Sequence, residues 1–163
     1  MARLDAMHAH LVRYGMAYIA LLFGYWAFSM KFEMNINVSN SLSGTLYLVE
    51  KRSLPSRDDY AAFYYPSDFI YPKNARFLKR VVGVAGDTVE SKDHQFFVNG
   101  KPVGKAMPVT SEGKPIEESN FKGVIPAGHY YMMGDHPKSL DSRYKVVGLV
   151  SDQMIIGRGY RLF

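Results

Sequence analysis

Residues 76–89 read Arg76-Phe77-Leu78-Lys79-Arg80-Val81-Val82-Gly83-Val84-Ala85-Gly86-Asp87-Thr88-Val89. The run predicts a strand over residues 77–84, because bulky and β-branched side chains continue until the Ala-Gly-Asp turn. Successive strand side chains point to opposite faces, so Phe77, Lys79 and Val81 share one face and Leu78, Arg80 and Val82 the other. A lysine held between two apolar neighbours is partly desolvated. Desolvation disfavours the ammonium and lowers its pKa, which is what a lysine needs to act as a general base. An edge-strand lysine that simply reaches water has the same local pattern, since lysine is seldom fully buried.

Outward from this run, the chain after Met34 alternates short stretches of tyrosine, phenylalanine and valine with turn residues. That pattern predicts a mostly β domain, with further strands over residues 45–49, 60–64, 95–98, 129–133 and 154–161. Pro66 and Pro72 punctuate a loop between the second and third strands. Asn99-Gly100 between QFFV and KPVG signals a two-residue hairpin, because both residues tolerate the positive φ of a type I′ turn. Residues 102–127 hold four prolines and little periodicity, so a loop or small subdomain inserted near 91–127 is expected.

In the other direction, residues 14–30, YGMAYIALLFGYWAFSM, carry no charge and are bracketed by Arg13 and Lys31. Seventeen helical residues span roughly 25 Å, slightly short of a bilayer core, and the snorkelling reach of the bracketing cations covers the difference. Tyr14, Tyr25 and Trp26 suit the membrane interface. A buried helix of a soluble domain and a cleaved signal peptide are the competing readings, but no A-x-A-like cleavage site follows. A retained anchor implies a flank over 1–13, a transmembrane segment over 14–30 and a folded domain over 31–163. Arg3 and Arg13 outweigh Asp5 on the N-terminal side, while Lys31 and Glu33 cancel on the other. The positive-inside rule then puts the flank in the cytoplasm and the domain outside the inner membrane, periplasmic in a Gram-negative cell.

The 163 residues suffice for one modest domain, and a hydrophobic share of 47% argues against global disorder. The absence of cysteine excludes disulfides, thiolate metal sites and a cysteine nucleophile. The formal charge of +5 is spread along the chain, so nothing argues for a nucleic-acid partner. Neither a phosphate-binding loop nor an H-E-x-x-H pair is present. The five histidines lack metal-ligand spacing, and no metal or other cofactor is expected. A Ser–His–Asp triad through His129 or His136 would lack the usual G-x-S-x-G elbow.

Two further segments can carry chemistry. Asn37-Val38-Ser39-Asn40-Ser41-Leu42-Ser43-Gly44-Thr45-Leu46-Tyr47 places three serines at alternate positions before a strand, which is also a common structural turn. Met133-Gly134-Asp135-His136-Pro137-Lys138-Ser139-Leu140-Asp141-Ser142-Arg143 runs from a strand into a polar loop that could position a catalytic group or be merely solvated.

Taken in this order, the three segments resemble the type I signal peptidase family, and the match covers nearly the whole chain. Lys79-Arg80-Val81-Val82-Gly83-Val84-Ala85-Gly86-Asp87 is similar to the family's K-R-[VA]-[VI]-G-x-P-G-D box. Met133-Gly134-Asp135 with Ser139-Leu140-Asp141-Ser142-Arg143 is similar to its G-D-N-x-x-x-S-x-D-S-R box, and Asp58-Asp59-Tyr60-Ala61-Ala62-Phe63 to its G-D-hydrophobic strand. The resemblance implies a signal-peptidase-like β domain with a LexA-like core behind one transmembrane helix. It implies a Ser–Lys endopeptidase in which Ser41 is the nucleophile and Lys79 the general base. Ser39 and the Ser41 backbone N–H would form the oxyanion hole, and Ser139 would hydrogen-bond the lysine. Asp141 and Arg143 would be a structural ion pair beside the site, with Arg80 next to it.

Departures around Ser41 narrow the subfamily. Ser41-Leu42-Ser43-Gly44-Thr45-Leu46 lacks the methionine and proline usual in general signal peptidases. The spacing of Asn37, Ser39, Ser41 and Tyr47 resembles the TraF-type conjugative branch, with Ser43 and Thr45 in place of its proline and glycine. The expected partner is a membrane-tethered precursor, a pilin under the favoured reading, matured with or without cyclisation. The alternatives are a housekeeping leader peptidase acting on preproteins, or a non-catalytic anchored module of pilus or secretion assembly. LexA-like self-cleaving regulators share the dyad, but they carry a DNA-binding domain where this chain has its apolar segment. The oligomeric state is not legible in the sequence.

Overall fold

The computed structural model describes residues 2–39 and 41–163; Met1 of the predicted flank and Asn40 of the serine-rich turn lie outside them. The helix α1 (Ala2–Lys31) runs unbroken through both the expected flank and the apolar segment, about 45 Å at the usual rise. It starts earlier than the apolar run because the flank is rich in helix formers, and Asp5 in the first turn complements the helix dipole. Its stretch Arg3–Lys31 is long and apolar enough to cross a membrane, and its most apolar window is buried by nothing else in the chain. Leu21, Leu22, Phe23 and Trp26 all stay more than half exposed, so the helix does not serve as the core of the β domain.

The strands are β1 (Phe32–Ile36), β2 (Leu46–Lys51), β3 (Tyr60–Tyr64), β4 (Arg76–Gly83), β5 (Thr88–Lys92), β6 (Gln95–Val98), β7 (Lys101–Lys105), β8 (Gly123–Val124), β9 (His129–Met133), β10 (Val150–Ser151) and β11 (Ile155–Arg161). The fold is mostly β, as the alternating pattern predicts. β3, β6 and β9 have the expected bounds, and β2, β4 and β11 lie within two residues of theirs. β7 is the second arm of the hairpin expected at Asn99-Gly100, whereas β1, β5, β8 and β10 have no counterpart among the expected strands. Pro102, Gly104 and Gly123 give β7 and β8 no intrinsic strand preference, and these segments are extended because a partner strand accepts them.

A seven-stranded sheet has the order β1-β2-β11-β3-β4-β9-β10, and a four-stranded sheet has the order β7-β6-β5-β8. The strands of the smaller sheet lie between Thr88 and Val124. Its β6–β7 hairpin turns at Asn99 and Gly100, both at positive φ (50° and 73°), as a type I′ turn requires. One face of the large sheet buries Ala61, Phe63, Val81 and Met132. The other buries Tyr47, Val49, Ala62 and Leu78, and further along it Tyr131 and Met133 meet Val89, Phe96 and Val98 of the small sheet. Asp87 staples the turn between the sheets by accepting from Arg57 (2.5 Å), Asn99 Nδ2 (2.7 Å) and the Val84 N–H (2.8 Å), and the Arg57 guanidinium holds its carboxyl down to about 2.

β1 follows α1 without a loop and pairs antiparallel with β2 from Phe32↔Glu50 to Ile36↔Leu46. Charges clasp this junction. Lys31 pairs with Glu50 (3.0 Å), Glu33 pairs with Arg76, and Lys51 Nζ donates to the Ser29 carbonyl at the helix C-terminus (2.7 Å). The clasp fixes where the chain leaves the helix, and the serine-rich turn begins directly after β1.

Candidate active site

Lys79 lies opposite Ala61 of β3, on the face shared with Phe63, Val81 and Met132, and is only 5% exposed. Its side chain is therefore buried beside Phe77 and Val81 and does not reach out into bulk water. Burial pushes its ammonium pKa from 10.5 down to about 8; Asp141 and Asp135 oppose the fall and Arg143 adds to it. Nζ sits 5.4 Å from the centre of the Phe77 ring. β9 ends at Met133, and its pairing with β4 begins only at Arg80, so among the described residues no strand covers that edge of β4 over Arg76 to Lys79. A cavity of about 520 Å³ opens there, and Ser39, Ser41, Lys79 and Ser139 all line it.

The turn carrying Ser41 is held from within and from without. Leu42 is buried against Tyr47 and Leu78 and anchors the turn in the core. Gly44 donates its N–H to the Tyr47 hydroxyl (3.1 Å), and a Cβ there would stand 2.6 Å from that oxygen, so the tight approach needs glycine. Asn37 closes the turn: its N–H donates to Thr45 O (2.8 Å), and its Nδ2 donates to the carbonyls of Leu42 (3.0 Å) and Gly44 (2.9 Å). From outside, the Asp135 N–H donates to Ser41 O (2.7 Å), and Asp135 Oδ2 accepts from the Ser43 N–H (3.1 Å). Ser39 Oγ and Ser41 Oγ are 2.8 Å apart.

Ser139 is buried, and its Oγ has no hydrogen-bond partner among the described residues. A buried hydroxyl facing a cavity in that state is available to a group or water that enters. Gly134 packs directly on it: a Cβ at that position would strike Ser139 Oγ and come within 2.9 Å of the Ser41 carbonyl. Behind this shell, Asp141 and Arg143 form a fully buried bidentate pair (2.8 Å twice). Its remaining capacity is used locally. Asp141 Oδ2 accepts the Gly134 N–H (3.0 Å), and Arg143 donates to the carbonyls of Lys105 (2.7 Å) and Ser139 (3.2 Å). A buried pair satisfied this fully holds the 134–143 loop in one conformation.

Arg80 does not join that pair. Strand alternation turns it to the opposite face, where its ionic partners are Asp58 (3.8 Å) and Asp135 (3.9 Å). It reaches the Ser41 turn through Asp135. Of the two histidines considered for a triad, His129 bonds Ala127 O at the start of β9, and His136 lines the cavity. Sequence reasoning assigned no role to Asn37, Gly134 or Asp135, although all three lie in the quoted segments. An Asx residue two positions before a serine turn was the available signal for the first. Asp135 bonds backbone atoms of the distant Ser41 turn, and Gly134 leaves room beside the Ser41 carbonyl, neither of which a local pattern reports.

The assembled groups have a definite capability. A hydroxyl on a rigid turn, a second hydroxyl beside it and a lysine near neutrality face one cavity, which is the set of parts that base-assisted nucleophilic attack requires.

The family model described as "Signal peptidase, peptidase S26" matches residues 7–163. A signal peptidase I of Pseudomonas fluorescens is 32% identical over 143 residues, covering 67% of this chain and 49% of the relative. A signal peptidase I of Bacillus licheniformis is 30% identical over 145 residues, covering 81% of this chain and 76% of the relative. A solved signal peptidase I from Enterococcus faecalis superposes with a TM-score of 0.44 at 29% identity, over 65% of this chain and 97% of that one. The chain spans about half the length of the Pseudomonas relatives it matches.

Proposed function

The chain belongs to the signal peptidase family, peptidase S26, and on that premise we propose that it is a membrane-anchored Ser–Lys endopeptidase that cleaves exported, membrane-tethered precursor proteins. In this reading neutral Lys79 takes the Ser41 proton as Oγ attacks a peptide carbonyl, forming the C–O bond of a tetrahedral intermediate. The Ser41 N–H and the Ser39 hydroxyl stabilise the oxyanion. The protonated lysine then returns the proton to the leaving amine as the C–N bond breaks, and water hydrolyses the acyl-enzyme by the same route. Ser139 Oγ makes no hydrogen bond to Nζ in the resting fold; in this reading it takes up Nζ once substrate fills the cavity. The single observation that carries the reading is that a lysine 5% exposed, with its pKa near 8, shares one cavity with Ser41.

The uncovered edge of β4 offers backbone groups to which an extended peptide can add as a strand. With α1 spanning the inner membrane, N-terminus in the cytoplasm, the β domain and this cavity lie on the outer side, periplasmic in a Gram-negative cell. Removal of leader peptides from preproteins fits this arrangement. Maturation of a conjugative pilin fits it equally, and the spacing of Asn37, Ser39, Ser41 and Tyr47 supports that narrower reading.

The test is co-expression with a pilin precursor and with a general preprotein, followed by mass spectrometry. Cleavage that disappears in both Ser41→Ala and Lys79→Ala, with the protein still folded and in the membrane fraction, is expected. Normal processing by either variant overturns the dyad. The mass of the product separates trimming from cyclisation.

A further inference from the structure

The hydrogen bonds around Ser39 have a forced direction. Ser39 Oγ lies 3.1 Å from Asn37 Oδ1 and 2.8 Å from Ser41 Oγ. The orientation of the Asn37 amide is set by its surroundings, because Nδ2 faces the carbonyls of Leu42 and Gly44 while Oδ1 faces the Ser39 hydroxyl and N–H. A flipped amide would set its oxygen against two carbonyl oxygens. An amide oxygen only accepts, so Ser39 must give its one proton to Asn37. The bond between the two serines then has Ser41 as donor. The resting order runs from Ser41 O–H to Ser39 O–H to Asn37 Oδ1, and the Ser41 proton points toward Ser39.

From this we propose that Asn37 is a positioning residue that fixes the rotamer of the Ser39 hydroxyl within reach of the reacting carbonyl. The proposal rests on the Ser41–Lys79 reading and refines it. Asn37 touches no reacting atom. It bridges the two ends of the turn and presents one acceptor to Ser39, so that Ser39 waits in a single orientation beside Ser41 Oγ. When a carbonyl oxygen becomes an oxyanion it is a stronger acceptor than an amide oxygen, and the Ser39 proton turns from Asn37 to the oxyanion. Ser41 releases its bond to Ser39 and donates to Lys79. No covalent change is required beyond the cleavage chemistry already described.

A double-mutant cycle on the full chain in detergent, with a cleavable precursor as substrate, tests this. Asn37→Ala is expected to lower kcat on the order of tenfold with KM little changed, because a mispositioned donor acts in the transition state. Ser39→Ala is expected to lower kcat further, and in that background Asn37→Ala should have almost no additional effect. If Asn37 served the turn alone, through the Leu42 and Gly44 carbonyls, its loss would reduce kcat equally with or without Ser39, and that additive result overturns the proposal. Should the alanine chain fail to fold, Asn37→Asp keeps the acceptor for Ser39 while removing both donors. Its kcat is then expected to stay above that of Ser39→Ala, and a kcat at or below it overturns the proposal. Ser41→Ala run alongside separates the two levels. Residual cleavage there refutes the dyad itself, whereas an inactive Ser41→Ala with an additive cycle refutes only the role of Asn37.

Discussion

Lys79→Met should make this protein more stable while removing its activity, and the gain should depend on pH in a defined way. Methionine has similar length and no polar head, so it fits the space between Phe77 and Val81 without a large void. The wild-type lysine titrates at about 8 in the fold against 10.5 as a free side chain. At ~1.36 kcal/mol per pH unit, that difference corresponds to about 3 kcal/mol by which a buried ammonium disfavours the folded state. The sign follows from proton counting. Between pH 8 and 10.5 the unfolded chain binds more protons at this residue than the folded chain, so wild-type stability rises with pH across that window. Below pH 8 both states carry the proton and the penalty is constant; above 10.5 it is gone. The variant lacks the titration. Equilibrium urea unfolding in detergent, followed by circular dichroism of the sheet, should show Lys79→Met ahead by about 3 kcal/mol at pH 7, with the gap closing toward pH 10.5. A gap that does not change with pH, or a variant less stable than wild type at pH 7, would refute the claim that Lys79 is held desolvated.

Two further outcomes follow from the same geometry. If neutral Lys79 is the base, only about a tenth of the enzyme is competent at pH 7, so kcat/KM should rise roughly tenfold per pH unit below pH 8 and level off above it, read from initial rates on a peptide substrate. Gly134→Ala drives a methyl group into Ser139 Oγ and against the Ser41 carbonyl. It should reduce cleavage by about a hundredfold, the scale of an ångström-sized misplacement, with a stability loss of only ~1–3 kcal/mol by urea unfolding. Retention of near-normal cleavage would show that the turn tolerates displacement.

Properties that depend on short-range pattern were legible in the chain before folding is considered. Alternation around Lys79 already assigned it to the face of Phe77 and Val81, because the strand period of two leaves no other choice. The charge-free segment marked the exposed apolar helix, since length and composition alone decide that property. Asn99-Gly100 gave the hairpin from the φ values those residues accept. Whether Lys79 faced water or a dry interior was undecidable locally, and the edge-strand alternative was open until β3, β9 and the loop after Met133 were packed around it. The same holds for the short strand β8, which exists because of its partner β5. The polar connections of the site are the clearest case. Asp135 to Ser43, Gly134 against the Ser41 carbonyl, and Arg80 turning to Asp58 and Asp135 all join residues distant in the chain. Such contacts are fixed only when the long-range pairings form. Residue identity supplied a serine and a lysine, and the tertiary structure supplied the desolvation and the shared cavity that make the pair chemically useful.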